Sequence, residues 1–380
     1  MTDDLPNPAL LPAGLSDLLP PEAAREAALV EAMMEVFATH GYERVKPPLL
    51  EFEDALLTGS GAALADQTFR LMDPVSQRMM GLRADTTPQV ARIAATRLRD
   101  VPRPLRLSYA GQVLRVRGTQ LAPERQLPQL GIEIIGASSA EADAEAATLG
   151  VEALAACGIA DVALDVTLPA MSPALLDGAG LQGAARNALA RALDRKDAAE
   201  VTRLSEEAGP PANFLPGLLA AAGPADGALA ALQAANLPSA ARAIADNAAE
   251  VIAAIRRRAP ALRITLDPVE FRGLRYHTGV AFTLYGPGRT GELGRGGRYI
   301  SGDEPATGLS LYPDAALRAA PRPAAAERVF LPHGSDAAAA AALRRQGKVT
   351  VAALSPTDTA RGLRCTHELR DGVAVALEGN

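Results

Sequence analysis

Residues 105–136 read LRLSYAGQVLRVRGTQLAPERQLPQLGIEIIG, and they decide the fold. The stretch reads as two antiparallel strands joined by a long polar loop. Side chains alternate along a strand with a period of two, so Gly111, Val113 and Arg115 share one face of the first strand. On the second, Gln129, Gly131 and Glu133 share a face, while Leu130, Ile132 and Ile134 supply the opposite, core-facing set. One surface therefore presents Arg115, Gln129 and Glu133, with a glycine among them that lets a ligand approach the backbone. A cation, an amide and a carboxylate on one sheet surface could hold a zwitterion such as an amino acid. The plainer reading of Arg115 and Glu133 is a cross-strand ion pair on a half-buried face.

The surrounding composition narrows the class. A chain of 380 residues can build two or three domains around a well-buried core. A formal net charge of −6 and a pI near 5.4 give no global drive toward nucleic acid. The two cysteines, Cys157 and Cys365, lie far apart without metal-ligand spacing, so a disulfide framework or structural zinc is not expected and a reducing cytoplasm fits. Residues 1–14 lack a basic segment followed by an apolar run, and no apolar stretch reaches bilayer length, so neither a signal peptide nor a membrane span is expected.

Elsewhere the chain alternates helical and strand signals. Pro20-Pro21 opens a helix over 22–40 that ends at Gly41, followed by a short strand over 42–45. Residues 69–82 read as a hairpin turning at Asp73-Pro74-Val75-Ser76, and Thr87 can cap a helix with Pro88 in its first turn. Ser138-Ser139-Ala140-Glu141 has the spacing of a capping box for a helix ending near Gly158. Residues 172–258 are alanine-rich and helical, and read as an insertion. Strands return at 262–266, 280–285 and 307–311, with residues 294–299, GRGGRY, read as a glycine-rich loop. The PRPAAA run at 321–326 reads as a linker to a small βαβ-like tail.

Four blocks then carry a resemblance: LRADTT from Leu82, the segment from Val113 to Glu133, FRGLRYHTG from Phe271 and GGRY from Gly296. In this order and spacing they resemble class II histidyl-tRNA synthetases over roughly residues 11–312. The likeness is greatest to a paralogue of those enzymes, the regulatory subunit of ATP phosphoribosyltransferase. The resemblance implies a histidine pocket. Asp85, Thr87 and Gln129 would hold the ammonium, with Asp85 standing where the synthetases carry a glutamate. Arg115 and Arg272 match arginines facing the carboxylate, or the phosphate of ATP. Glu133 would accept from the imidazole, and Tyr276, His277 and Tyr299 would wall the ring. His277 and Arg275 stand where the synthetases carry a tyrosine and an aspartate.

Two departures bear on adenylation. The synthetase pattern Arg-x-Glu is here Arg115-Val116-Arg117, and the arginine expected seven residues after Gly308 is Ala315. The loss of an acceptor for adenine and of a phosphate-facing cation removes what catalysis by electrostatic positioning requires. The stretch after Pro321 is also shorter than the anticodon-binding domain of a synthetase. The resemblance thus implies an α+β fold, a class II synthetase-like antiparallel sheet flanked by helices. The expected organisation is a core over 1–320 containing the helical insertion at 172–258, then a small C-terminal α/β segment at 321–380. It further implies a non-catalytic regulatory subunit, without cofactor, metal or tRNA. Such a subunit would form a homodimer within a hetero-oligomer with the short-form catalytic subunit, in the cytoplasm, and would bind L-histidine. The competing readings are an active histidyl-tRNA synthetase and a free-standing histidine-binding paralogue.

Overall fold

The computed structural model describes residues 10–118, 123–270, 277–288 and 291–377. The chain divides into two compact units, Met1–Ala320 and Pro321–Asn380. The first is built on a nine-stranded sheet. Its strands, in spatial order, are Glu43–Arg44, Leu105–Leu114, Gln126–Ile135, Glu304–Leu311, Glu292–Ser301, Ala281–Tyr285, Ala163–Thr167, Arg263–Asp267 and Gly223–Pro224. All neighbours pair antiparallel except two: Glu43–Arg44 beside Leu105–Leu114, and Ala163–Thr167 beside Arg263–Asp267.

The alternation read from residues 126–135 organises both faces of this sheet. Leu130, Ile132 and Ile134 are buried in one large cluster with Met33 and Phe37 of helix Glu22–Thr39 and Leu149 and Leu154 of helix Ala140–Ala156. The opposite parity points to a smaller cluster, where Leu107, Tyr109, Ile135 and Tyr299 pack on Val90 and Ala94 of helix Thr87–Thr96. The zwitterion-binding surface inferred from sequence lies on this second face. A separate three-stranded sheet contains Arg70–Met72 paired with Met79–Leu82. Asp73 closes that hairpin by accepting from the backbone N–H groups of Val75 and Ser76.

The helical segment runs from Met171–Gly178 to Ser239–Arg258. Its apolar residues do not form a core of their own: Leu175, Leu189, Leu215 and Val251 join the cluster that holds Leu164 and Leu266 of the sheet. Gly223–Pro224 even adds a short rung against Leu266 and Thr265.

Three local expectations are corrected. Residues 294–299 are not a loop but the middle of strand Glu292–Ser301, paired on both sides, so their peptide groups serve the ladder. The glycines are there because neighbours leave no room; a Cβ on Gly296 would overlap the carbonyl of Gly308 and the ring of Phe282. Thr87 does not cap its helix. Asp85 does that work, its Oδ1 accepting from Thr87 N–H at 2.9 Å. Nor does the capping box from Ser138 to Glu141 form: the N-cap is Ser139, one residue later than the box needs, and Glu141 pairs with Arg257 and Arg258.

Within GGRY the two polar side chains part company. Tyr299 faces the smaller cluster, whereas Arg298 is buried against helix Ala140–Ala156. Arg298 Nε donates to Asp143 Oδ2 at 3.0 Å, and its two terminal nitrogens donate to the carbonyls of Ala137 and Ser139, each at 2.9 Å. Removing one member of such a buried pair strands the other's charge. Arg298→Met is therefore expected to cost about 3–5 kcal/mol in urea unfolding. Adding Asp143→Leu should recover much of that loss.

The C-terminal unit, taken by itself, is a four-stranded sheet in the order Val349–Ala352, Arg328–Leu331, His367–Arg370, Val373–Ala376. Helix Ala337–Arg345 is capped by Asp336, which accepts from Ala338 and Ala339 N–H. The final hairpin extends the βαβ-like reading. It turns at Asp371-Gly372, both at positive φ (48° and 78°), the backbone that an Asp-Gly pair favours between strands.

Candidate functional site

On the second face of the large sheet lies a cavity of about 240 Å³. Among the described residues it is lined by Asp85, Thr87, Arg115, Glu133, His277, Arg295, Tyr299, Ser310 and Tyr312, with Gly308 at its wall. This is below the ~300–1,000 Å³ that drug-sized ligands occupy, and suits a small polar molecule.

Glu133 is 1 % exposed and carries the site's most perturbed carboxyl. Burial pushes its pKa up to about 8; hydrogen bonds from Tyr299 and Thr87 oppose the shift, and the charge of Asp85 adds to it. Tyr299 OH donates to Glu133 Oε2 at 2.9 Å. The side chain fits because its cross-strand partner is Gly308: a Cβ there would overlap the carboxylate.

Asp85 sits at the start of helix Thr87–Thr96. Its Oδ1 accepts from Thr87 N–H and, at 3.1 Å, from Gln129 Nε2. Gln129 is fully engaged behind it. Its Oε1 accepts from Thr86 N–H at 2.9 Å, and Nε2 also donates to Ser310 Oγ at 2.9 Å. Gln129 thus orients Asp85 rather than lining the cavity. Tyr109, wholly buried, stands behind the same wall with its hydroxyl 3.0 Å from Ser310 Oγ and 3.3 Å from Thr87 Oγ1. Burial, then the nearby Glu133 and Asp85, raise its pKa well above the ordinary phenol value.

Two guanidinium groups line the cavity. Arg115 keeps its Nε buried with no hydrogen-bond partner among the described residues, and forms no ion pair with Glu133, so the plain cross-strand pairing is not what the fold builds. Arg295 is held by Glu292, with contacts of 2.5 and 2.6 Å. Its charge lowers the pKa of half-buried His277 to about 4 together with burial, the larger cause, so the imidazole is neutral at pH 7. Tyr312 lies within reach of both arginines.

The sequence-derived residues therefore divide. Asp85, Thr87, Arg115, Glu133, His277 and Tyr299 meet at one cavity, and Gln129 stands directly behind it. Arg272 and Tyr276 lie outside the described residues. The role assigned to Gly131 is corrected: it admits not a ligand but Tyr109, whose hydroxyl would lie 2.6 Å from a Cβ at that position. Gly111 likewise admits the guanidinium of Arg83, whose Nε donates to the carbonyl of Gln112 at 2.8 Å. Tyr109, Arg295, Ser310 and Tyr312 escaped the sequence reading. Alternation supplied a signal for each: Tyr109 shares a face with Gly111, Ser310 and Tyr312 share one with Gly308, and Arg295 with Tyr299 once 292–301 is a strand.

Of the two departures that bear on adenylation, Arg117 is exposed and does not line the cavity, while Ala315 is buried in the main core. Among the described residues no group of three or more His, Cys, Asp or Glu side chains could hold a metal ion, and no helix is long and apolar enough to cross a membrane.

The histidyl-tRNA synthetase family model matches residues 14–316. An ATP phosphoribosyltransferase regulatory subunit of Rhodospirillum centenum is 53% identical over 97% of this chain and 96% of its own length. One from Paramagnetospirillum magneticum is also 53% identical, over 98% and 99%. A crystal structure titled as an ATP phosphoribosyltransferase regulatory subunit/histidyl-tRNA synthetase from Bacillus halodurans superposes with a TM-score of 0.80, covering 94% of this chain and 96% of that one. At 23% identity it speaks to the fold alone. The chain therefore belongs to the family of ATP phosphoribosyltransferase regulatory subunits, built on the histidyl-tRNA synthetase fold.

Proposed function

We propose that this chain activates a short-form catalytic ATP phosphoribosyltransferase subunit in the first step of L-histidine biosynthesis, and that its cavity binds L-histidine as the feedback signal. The observation that carries the ligand assignment is the cavity's pairing of Asp85 and Arg115 with a buried, hydrogen-bonded carboxyl at Glu133. An ammonium suits Asp85 with Thr87, oriented from behind by Gln129. A carboxylate suits Arg115, joined by Arg272. Glu133 accepts from a ring N–H, with Tyr276, His277 and Tyr299 around the ring. The chain itself performs no chemistry in this reading. It works in the cytoplasm as a homodimer, paired through residues 22–45, within a hetero-oligomer, and does not bind tRNA. Histidine inhibits because it binds two states of the complex unequally, by about 1–3 kcal/mol.

Mixing the purified chain with a short-form catalytic subunit tests this. The expected result is a complex in gel filtration, phosphoribosyl transfer above that of the catalytic subunit alone, and loss of that activity on adding histidine. Neither complex nor activation would favour a free-standing histidine-binding paralogue. The match to the histidyl-tRNA synthetase model keeps adenylation as the rival activity. Against it stand the exposed Arg117 and the core-buried Ala315. Histidine-dependent exchange of pyrophosphate into ATP by the chain alone would overturn the non-catalytic reading.

A further inference from the structure

At the wall of the cavity and behind it, Gln129, Ser310 and Tyr109 form a continuous hydrogen-bonded line, of which only Ser310 lines the cavity. Gln129 Nε2 donates to both Asp85 Oδ1 and Ser310 Oγ. Its orientation follows from its other end, where Oε1 accepts from Thr86 N–H. An amide nitrogen only donates, so Ser310 Oγ accepts there, and its own proton has Tyr109 OH as its partner at 3.0 Å. Tyr109 is then left to donate to Thr87 Oγ1, 3.3 Å away, or to the carboxyl of Glu133, which both hydroxyls reach. Every donor is satisfied when donation runs outward from Gln129, to Asp85 on one side and through Ser310 and Tyr109 toward Thr87 or Glu133 on the other. Gln129, Tyr109, Thr87 and Glu133 are buried, and Ser310 between them is half-buried at the cavity wall.

We infer that Ser310 and Tyr109 are positioning residues that couple the two carboxyl groups of the cavity, so that the amino group and the ring of a bound histidine are recognised cooperatively. The inference rests on the histidine reading of the cavity. A cation at Asp85 pins the carboxylate against Gln129, which fixes the amide. The amide in turn polarises the hydroxyls of Ser310 and Tyr109 toward Glu133, and in a low-dielectric interior such bonds strengthen one another. Ring recognition at Glu133 then depends on whether the ammonium site is filled.

A cycle combining one change in the ligand with one in the protein tests this by calorimetry. The ligands are histidine and imidazolelactate, which carries a hydroxyl where histidine has its amine; the proteins are the full chain and Glu133→Gln. The expected result is that the two penalties are non-additive by about threefold or more, as for contacting groups in one network. The non-additivity should vanish in Ser310→Ala and in Tyr109→Phe, and return in Ser310→Thr, which restores a hydroxyl. A merely structural role would lower all four affinities together and leave the non-additivity in place. Should one variant fail to fold, judged by thermal melting, the other decides. Additive penalties in the unaltered chain, or non-additivity that survives loss of either hydroxyl, would overturn the coupling while leaving histidine binding intact. No binding of histidine to the unaltered chain would overturn the histidine reading itself, and the coupling with it.

Discussion

Glu133→Ala is expected to abolish histidine inhibition of the assembled complex while leaving assembly itself unchanged. The truncation removes the acceptor proposed for the imidazole and the carboxyl to which Tyr299 OH donates at 2.9 Å. A hydrogen bond to a charged or strongly polar group contributes about 1.5–3 kcal/mol, which predicts a loss of histidine affinity of roughly 10- to 150-fold by calorimetry. Unchanged affinity would sink the pocket assignment. The same residue sets a pH dependence. Its pKa is raised from an ordinary 4.5 to about 8, so the folded chain binds the proton more tightly than the unfolded one. Stability from this group is therefore complete at acid pH and declines as pH rises from about 4.5 to about 8, by a few kcal/mol. Glu133→Gln keeps the shape without the ionisation. Melting curves at pH 5 and pH 8 should show the unaltered chain losing ground to this variant as pH rises.

Gly308→Ala is the second large effect expected, although it adds only one methyl group. Gly308 and Glu133 face each other across adjacent strands, and the carboxylate occupies the space a Cβ would need. The added carbon must push the carboxyl away from Tyr299 or spread two central strands. Overpacking of this kind typically costs about 1–3 kcal/mol of stability. Histidine affinity is expected to fall at least as far as in Glu133→Ala, because both the acceptor and the wall are displaced. If Gly308→Ala bound histidine normally, the close packing of Glu133 on Gly308 would be immaterial to the ligand.

The cavity and its surroundings combine residues of two kinds. Asp85, Arg115 and Glu133 present charge to the cavity, whereas Gln129 and Tyr109 stand behind it and, with Ser310 at its wall, form the hydrogen-bonded line that backs Asp85. The first kind is legible in a sequence because charged residues on a strand with an apolar opposite face demand a reason. The second kind is harder to see, because a buried tyrosine or glutamine reads as ordinary core until its partners are known.

Glycine shows the same limit from the other side. A glycine within a paired strand says that something comes close to the sheet, but not what, and Gly111, Gly131 and Gly308 each have such a neighbour. The occupants are Arg83, Tyr109 and Glu133, each brought there by strand or loop pairing rather than by proximity in sequence. The GRGGRY segment misled for a related reason. Its composition resembles a loop, yet five of its six residues are buried and all lie in a doubly paired strand, which only the neighbours at 281–285 and 304–311 determine.

By itself the sequence determined the two-faced alternation of residues 126–135, the hairpin at 69–82, the helix after Pro20-Pro21 and the linker-like run after Pro321. These are local periodicities and turn chemistries that few residues suffice to specify. It also carried the residue blocks by which the family is identified. Only the tertiary structure decided that Gln129 orients Asp85 instead of lining the cavity, that Arg298 serves the core while Tyr299 serves the site, and that Arg295 and Tyr312 join it. Those outcomes depend on which strands lie side by side and in what register. A shift of one residue would move each side chain to the opposite face, and pairing between residues more than a hundred positions apart leaves no mark in either local pattern.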